Sequence, residues 1–387
     1  MRTLDRRVVI RALIVFMIAA AALTAAQLAL GDSAKAEPAA AAVAADAARA
    51  DVVEPDDAVV DDDVVGEDGV TEDGGMANTS GANNRPLQLL FNGIVFGLLL
   101  ALASVGLSLI YGTTGLSNFA HAEQVSLGAI LCYFFATKEP VSLPLIPGSF
   151  TIGMPLALAA VLAVAVSAGT GWLQDRYLWS PLRRRRVAMV QQMIVSIGLS
   201  LAVLNALQWW MGGRRLRLTT SIDTRWTLGP IVVGRVGAVS ALIAIVCLAA
   251  VGYFLLRTRM GRATRAVSDN SALAAASGIK VDSIVRLVWI LAAGLAGLGG
   301  ILLGLYDSGT AFDAGARLLL LMFAAVTLGG LGQAFGALVG SLVIGIVVEM
   351  SSLFLAPDLK VATALVILIG VLLVRPQGIL GRAERVG

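Results

Sequence analysis

The amino-acid sequence predicts an all-α polytopic membrane protein, a bundle of about nine transmembrane helices after an N-terminal signal peptide or anchor helix. Apolar side chains make up 57% of the 387 residues and charged ones only 14%, too few for the surface of a water-soluble protein. Uncharged runs recur, several of them longer than the roughly 20 residues that cross a hydrocarbon core. They are Ala12 to Leu30, Pro86 to Ala120, Pro140 to Gln174, Val187 to Gly213, Val236 to Leu256, Leu287 to Tyr306, Leu318 to Val348 and Val361 to Val374.

The first 86 residues divide into two segments of different character. Residues 1–36 join a basic head to an apolar body and end at small residues suited to cleavage, which is typical of a signal peptide or a retained signal anchor. Residues 37–86 are an acidic linker rich in alanine and valine, with no aromatic side chain. Because such a segment buries little apolar surface, we expect a disordered extracytoplasmic tether; an acidic docking arm for a partner is the alternative.

Charge then predicts the topology of residues 87–382, the transmembrane domain. Gly31 to Pro86 holds 14 of the 26 acidic residues and three of the 29 basic ones, so the rest of the chain has 26 basic and 12 acidic residues. Short cytoplasmic loops concentrate lysine and arginine. We therefore assign to the cytoplasm the cluster Arg183 to Arg186, the loop 257–286 and the basic C-terminus, whose last residues, 383–387, form a tail.

This assignment makes the first helix of the domain enter from outside, where the exported linker leaves it. The loop 212–235 also carries five arginines but falls outside by alternation. Moving it inside would force one of the other basic clusters out. Its orientation therefore stays open.

The loop 257–286 is too polar to span a membrane and too long for a simple turn. Ser268, Asp269 and Asn270 are good helix N-caps, an alanine-rich stretch follows, and Gly278 suits the C′ position that ends a helix. The pattern predicts a short surface helix of about two turns, rimmed by basic side chains. An ordinary solvated loop is the alternative.

A family resemblance becomes specific at this loop. The stretch GRATRAVSDNSALAAASGIKVDSIVRLVWILAAGLAGLGGILLG resembles the cytoplasmic coupling loop and following helix of permease subunits from branched-chain amino-acid ABC importers. YGTTGLSNFAHAEQVSLGA, DRYLWSPLRRRRVAMVQQMIVSIGLSL, VTLGGLGQAFGALVGSLVIGIVVEMSS and RPQGILGR are also similar to that family, in the same order along the chain. The resemblance covers residues 87–382.

The resemblance implies a transport subunit of the bacterial plasma (inner) membrane, surrounded by lipid. It implies as partners two cytoplasmic ABC ATPases, a second homologous permease and an extracytoplasmic substrate-binding protein, with ATP used only through the ATPases. Leucine, isoleucine and valine are the implied cargo, and urea or short amides are the alternative. The residues that it assigns to ATPase coupling are Arg262, Arg265, Ser268, Ala274, Ala275, Gly278 and Lys280.

Two positions depart from the family's pattern. Importer permeases more broadly carry a glutamate six residues before the loop glycine, where this chain has Ala272, so an acidic anchor is not expected here. The family's His-Gly-Glu is His121-Ala122-Glu123 in this chain.

A polar stripe interrupts the apolar sequence near His121, the only histidine. On a helix, Ser117, Asn118, His121 and Gln124 fall on one face, while Glu123 points elsewhere. Polar side chains at membrane depth are costly and usually face other helices or a water-filled cavity. Two interpretations stay open: the stripe lines or gates a translocation pathway, or it forms interhelical hydrogen bonds that fix the bundle.

Other residues within the apolar runs carry weaker signals. Glu349 stands alone among apolar residues and is a further pathway or gate candidate, with hydrogen bonding to Ser351 or Ser352 as the alternative. Small residues four apart allow close helix contact in lipid. This spacing favours helix packing for Gly300, Gly304, Gly332, Gly336 and Gly340, with subunit contact or a sliding seam as the alternatives.

The sequence argues against an enzyme. It has no His-Glu-x-x-His pair, no Gly-x-Ser-x-Gly elbow and no phosphate-binding Gly-x-x-x-x-Gly-Lys loop, so we expect no catalytic residue and no directly bound cofactor. One histidine and two cysteines within apolar runs predict neither a metal site nor a disulfide, and nothing points to nucleic acid. A secondary transporter remains the rival class.

Overall fold

A computed structural model describes residues 85–143, 146–218, 224–228, 231–355, 359–374 and 377–381. The signal or anchor segment and the acidic linker lie outside these residues, apart from Arg85 and Pro86. Within the described part of the chain, six helices are long and apolar enough to cross a membrane, and two shorter apolar helices accompany them. The prediction of a helical membrane protein is confirmed in outline, but the number of about nine helices is not.

The described helices form two groups on either side of a connecting segment of three helices. The first group comprises α1 (Arg85–Thr114), α2 (His121–Ala136), α3 (Leu156–Gln174), α4 (Ser180–Arg184) and α5 (Met189–Met211). The connecting segment comprises α6 (Arg235–Arg257), α7 (Arg259–Asp269) and α8 (Ser271–Ala276). The second group comprises α9 (Val281–Tyr306), α10 (Ala314–Gly329), α11 (Ala334–Ser351) and α12 (Lys360–Val374).

Two antiparallel hairpins lie at the end of the bundle where α1 begins, the Arg85 end. β1 (Val141–Leu143) pairs with β2 (Ile146–Phe150), and β3 (Arg225–Leu228) pairs with β4 (Ile231–Gly234). The Gln88 side chain of α1 bonds to both the N–H and the carbonyl oxygen of Val232, which ties the second hairpin to the bundle. The opposite end, which carries α7 and α8, is called the α8 end.

The second group repeats the packing order of the first. α1 packs on α11 and α9 packs on α3, while α1 and α9 cross each other in the core. α2 contacts α3, α5 and α9, and α10 contacts their counterparts α11, α12 and α1. The two groups thus form a structural repeat.

The repeat is inverted. α1 begins beside the end of α11, where Arg85 bonds to the Ser352 carbonyl oxygen, and it ends beside Ser268 of α7. α9 begins at that α8 end, next to α4. α1 and α9 therefore run in opposite directions, the arrangement of inverted-topology repeats in many transporter folds.

Glycines set the closest helix contacts. A Cβ on Gly300 of α9 would overlap the Val125 carbonyl oxygen of α2, and one on Gly340 of α11 would overlap the Ala325 carbonyl oxygen of α10. Lipid supplies no hydrophobic force between helices, so such backbone approach is a main source of packing energy.

Candidate functional site

α2 begins inside the bundle rather than at its surface. Its first residue, His121, is buried, with Nε2 3.0 Å from the Ala103 carbonyl oxygen of α1. Ala103 precedes the end of α1 at Thr114 by 11 residues, or about 16 Å of helix. α1 stops where Gly115 takes a positive φ of 73°. Residues 115–120 therefore run back into the bundle before α2 starts.

α10 also begins inside the bundle and meets α2 there. The Gly315 N–H donates to Ser126 Oγ at 2.8 Å, and a Cβ on Gly315 would overlap the Ala122 carbonyl oxygen. The first turns of the two helices are thus adjacent. Because unpaired N–H groups give a helix N-terminus a partial positive charge, this junction favours negative groups.

The polar residues of α2 each bind a different neighbouring helix. His121 contacts α1, and Glu123 Oε1 accepts a 3.0 Å hydrogen bond from Ser200 of α5. Gln124 Oε1 accepts a 2.8 Å bond from Thr170 of α3, while Ser126 reaches α10. Together these contacts make α2 the polar hub of the bundle, which connects four other helices.

Two buried atoms of the hub have no hydrogen-bond partner among the described residues. They are Asn118 Nδ2 and Glu123 Oε2, from side chains that are 0% and 1% exposed. Buried polar atoms are nearly always paired, so an unpaired donor and acceptor mark a place where water or a polar ligand supplies the missing bonds. Around the start of α2, Asn118 and Glu123 are therefore the side chains with a polar atom left to bond.

The structure corrects the helical stripe that the sequence predicted. The helix starts at His121, so Ser117 and Asn118 lie in the turn before it, where Asn118 Oδ1 accepts from the Ala120 N–H at 3.2 Å. Glu123 does lie on another side, against α5, and it is buried like the others; the difference from the prediction is the start of the helix. Sequence spacing missed this because it assumed that one helix covers the whole stretch.

Glu349 does not join the hub. It lies in the last turn of α11, at the Arg85 end, and it is half-buried. The Ser351 and Ser352 hydroxyls donate to the backbone carbonyls of Val348 and Glu349.

The other predicted packing glycines separate into helical and turn positions. Gly336 faces Gly329 of α10 backbone to backbone, and Gly304 lies against Leu218 and Thr310. Gly332 precedes α11, has a φ of 77° and touches the Gly112 backbone of α1. Its assignment to helical spacing is therefore corrected to a turn that only glycine adopts easily.

The short helix expected at residues 268–278 is present as α8. Asn270 is its N-cap, with Oδ1 accepting from the Leu273 N–H at 2.9 Å, while Ser268 and Asp269 belong to the preceding helix α7. Gly278 follows α8 with a φ of 84°, and Ile279 N–H bonds back to the Ala274 carbonyl oxygen. This is the hydrogen-bonded C-terminal turn for which glycine is favoured.

Exposure divides the predicted coupling residues. Ala275, Gly278, Lys280 and the arginines 262 and 265 are exposed, whereas Ala274 is 4% exposed and packs into the chain's own core. Leu273, which the sequence did not single out, is a large apolar residue exposed beside them. Ala274 is therefore a support of α8 and not part of its outer surface.

A cavity of about 340 Å³ adjoins α7 at this end. Arg262, Arg265 and Ser268 line it on one side, and Gln333 and Phe335, at the start of α11, line it on the other. The basic rim predicted from sequence thus borders a recess between the connecting segment and the second group.

An ion-pair network that the sequence did not predict links α3 to α9. Asp175 is fully buried in a π-helical turn after α3, 2.6 Å from Arg183 and 3.2 Å from Arg286 of α9. Beside it, the Trp179 and Trp289 rings stack 5.3 Å apart. The available signal was one aspartate just before a cluster of arginines, which resembles an ordinary solvated loop.

The described residues hold no group of three histidine, cysteine, aspartate or glutamate side chains that could bind a metal ion. Cys132 and Cys247 are buried free thiols.

Comparison with known proteins supports one family. The model of the family described as branched-chain amino acid transport system, permease component, matches residues 89–373. The high-affinity branched-chain amino acid transport permease protein LivH of Escherichia coli K12 is 30% identical over 309 residues, 77% of this chain and 96% of that protein. The high-affinity branched-chain amino acid transport system permease protein BraD of Pseudomonas aeruginosa is 27% identical over 309 residues, again 77% of this chain and 96% of that protein.

The similarity extends beyond amino-acid permeases. The ribose import permease protein RbsC of Escherichia coli K12 is 28% identical over 277 residues, 70% of this chain and 79% of that protein. No solved structure matches the chain.

Proposed function

Because the chain belongs to the branched-chain amino-acid transport permease family, as its family match and relatives establish, we propose that it is the membrane-spanning subunit of an ATP-driven importer. Its cargo is leucine, isoleucine or valine. It hydrolyses no ATP itself and works with two cytoplasmic ATPases, a second permease and an external substrate-binding protein. The α8 end and the C-terminus face the cytoplasm, and the linker lies outside.

One observation carries this proposal: a capped, exposed helix, α8, leads directly into α9, the helix at the centre of the inverted repeat. α8 is held by the Asn270 cap and ends at Gly278, and α9 begins three residues later at Val281. So short a helix does not form alone in water, and its caps keep it ready to bind a partner. A push on α8 therefore acts on the core of the bundle.

The Asp175 network supports a route for that push. Arg286 lies one and a half turns into α9, and its bond to Asp175 ties the start of α9 to the end of α3. Breaking a buried ion pair costs more than moving it intact. We propose that α9, α4 and the end of α3 move together as ATPase closure displaces α8.

The hub at the start of α2 supports the assignment of the pathway. Asn118 and Glu123 each keep a buried polar atom without a partner among the described residues, and the first turns of α2 and α10 lie side by side. We propose that these residues border the translocation path and exchange hydrogen bonds with water or cargo during transport. His121 and Gln124, whose recorded bonds go to neighbouring helices, position α2.

Reconstitution tests the function. Co-expressed with candidate ATPase, second-permease and binding-protein subunits of the same organism and placed in liposomes, the complex is expected to accumulate radiolabelled leucine only with ATP and the binding protein. Uptake driven by a proton or sodium gradient without ATP would overturn the proposal in favour of a secondary transporter. ATP-dependent uptake of urea or a short amide, with no uptake of leucine, would keep the importer and replace its cargo.

The coupling surface gives a specific prediction. We expect Ala275→Glu to abolish ATP-driven uptake, because a charge is placed on the exposed side of α8 where the ATPase binds, while insertion and folding are retained. Co-purification of ATPase with the tagged chain measures the contact. Ala275→Ser is the matched control and should retain both uptake and co-purification. Normal uptake by Ala275→Glu would contradict the role of α8.

A further inference from the structure

Exposed arginines are concentrated in the loop 212–235, at the Arg85 end of the bundle. The sequence of this loop contains five arginines and one aspartate. Four of the arginines are exposed and are called the arginine surface below: Arg214, Arg215, Arg217 and Arg225. Short basic loops are usually cytoplasmic. Because the α8 end, on the opposite side of the bundle, is also basic, one of the two ends does not follow that rule.

The fold holds the arginine surface in place. Leu216 and Thr310 exchange backbone hydrogen bonds of 2.7 and 2.8 Å, and Arg215 donates to the Asp307 carbonyl oxygen beside them. Arg225 begins β3, in the hairpin that is tied to α1. Arginines on a backbone that is already fixed lose less entropy when they bind a ligand.

The carboxylates of the described residues satisfy this surface only in part. Arg214 lies 3.4 Å from Glu139, and both side chains are about two thirds exposed. Arg217 and Arg225 have no ion-pair partner among the described residues, and Asp223, the one acid of the loop, lies outside those residues. Guanidinium groups bind carboxylates with paired, charge-assisted hydrogen bonds. The surface therefore has the chemistry to bind an acidic peptide.

The residues that precede α1 carry the opposite charge. Residues 51–73, called the acidic segment below, have 11 acidic side chains and no basic one. Eleven residues, 74–84, connect this segment to Arg85, and an extended chain of that length spans at most about 40 Å. α1 starts at the same end of the bundle as the arginine surface. The segment and the surface are therefore on the same side of the membrane, whichever way the chain is inserted.

We propose that the acidic segment binds the arginine surface of its own chain. The connection through residues 74–84 makes this binding intramolecular, with an effective concentration on the order of millimolar. Individually weak, exposed ion pairs are sufficient at such a concentration. The inference goes beyond the transport function: it gives the acidic linker a binding site, and it explains why a loop so rich in arginine lies opposite the α8 end.

Photo-crosslinking of the full chain in isolated membranes tests the contact. A benzoylphenylalanine that replaces Val59 is expected to form an adduct that peptide mapping places in the loop 212–235. Two differently tagged copies distinguish an adduct within one chain from one between chains. Raising the salt concentration from 0.15 to 1 M shortens the screening length from about 8 to about 3 Å, so the yield should fall about fivefold. Absence of this adduct, an adduct with another protein only, or a yield that does not depend on salt would overturn the proposal.

A neutral linker of the same length provides the matched control. All 11 acidic residues of the segment are replaced by the corresponding amides, Asp→Asn and Glu→Gln, so the connection to Arg85 is unchanged. The yield of the adduct should fall about fivefold, because the charge that attracts the arginines is lost. Equal yields from the acidic and the neutral linker would show that proximity alone produces the adduct, which contradicts the proposal. The measurement needs no ATPase, so its outcome is independent of the importer function.

Substitutions on the arginine surface provide the second measurement. Arg217→Gln combined with Arg225→Gln should lower the yield of the adduct, since both side chains are exposed and without an ion-pair partner among the described residues. Arg317→Gln is the control: Arg317 is also exposed at this end, but Asp313 already binds it through bonds of 2.8 and 2.9 Å. An unchanged yield in the double variant, or an equal loss in the control, would contradict the assigned surface.

Discussion

The two halves of the repeat share a geometry but not a chemistry. In each half, a long helix is followed by a short one that begins inside the bundle, α2 in the first and α10 in the second. α2 carries His121, Glu123, Gln124 and Ser126, each bonded to a different helix, whereas the α10–α11 contact is backbone against backbone. The inverted repeat therefore places the start of both helices inside the bundle. Side chains of α2 bond to four other helices, whereas at the start of α10 the charged pair Asp313 and Arg317 bond to each other.

This difference suggests a division: side-chain chemistry in the first half serves transport, and the second half mainly contributes packing. The first half holds the polar hub and the buried Asp175 network, so substitutions there should affect both stability and transport. The second half is held largely by glycine contacts, so substitutions there should act through packing. The predictions that follow test this division.

The largest effect is expected from Asp175→Ala in the first half. It leaves the Arg183 and Arg286 guanidinium groups, about a quarter exposed, without their shared carboxylate. We expect a loss of about 3 kcal/mol of unfolding free energy, because an unpaired charge is left behind. Thermal unfolding in detergent, followed by size-exclusion chromatography, measures it. The exposed Arg184–Asp282 pair is the control, and Arg184→Ala should cost less than about 1 kcal/mol.

Gly340→Val, in the second half, should produce the next largest loss of stability. The added side chain meets the Ala325 carbonyl oxygen of α10, and overpacking of this kind costs about 1–3 kcal/mol. The same assay applies. Gly370→Val on α12, where a Cβ meets nothing within 4 Å, should leave the unfolding temperature unchanged. Equal destabilisation by both variants would mean that glycine contacts do not hold this half together.

Glu123→Gln should separate transport from stability. The amide keeps the volume and can still accept the Ser200 hydrogen bond, so unfolding free energy should change by less than about 1 kcal/mol. Uptake should fall, because the unpaired carboxylate oxygen at the junction is lost. Initial uptake rates at matched protein levels check this. A fully active Glu123→Gln chain would remove Glu123 from the pathway and leave it as a link between α2 and α5.

The smallest effect is expected at the start of α10, in the second half. Arg317 of α10 and Asp313, the residue just before that helix, form an i,i+4 pair with the arginine 71% exposed. Such pairs contribute less than about 1 kcal/mol, so Arg317→Ala should preserve both the unfolding temperature and the uptake rate. Loss of uptake with normal stability would show that a charged side chain at the start of α10 also takes part in transport. The proposed division between the halves would then be wrong.

Sequence patterns predicted correctly the features that depend on residues adjacent in the chain, such as helix ends. Asn270 and Gly278 are a capping residue and a helix-ending glycine, and α8 lies between them because caps act on the adjacent turn. Apolar runs similarly located most of the long helices. The expected count of about nine helices is not confirmed, and a run such as Pro86 to Ala120 contains one helix and then a segment that re-enters the bundle.

Relations between distant segments were not readable from spacing. The burial of Ala274, the turn at Gly332 and the pairing of Asp175 with Arg286, 111 residues away, depend on which helices meet. Periodicity gives the faces of one helix but not the helix opposite, so it assigned Asp175 no role and placed Ala274 on the outside.

The sequence by itself determined that this chain is a helical membrane protein of the branched-chain amino-acid permease family with a capped helix between its halves, because hydropathy, charge and caps are local properties. Only the tertiary structure decided the depth of His121, the meeting of α2 with α10 and the pairing of Asp175 with Arg286. These features arise from the inverted packing of two groups of helices. In that packing, the energy of a buried polar atom is set by a neighbour far away in the chain.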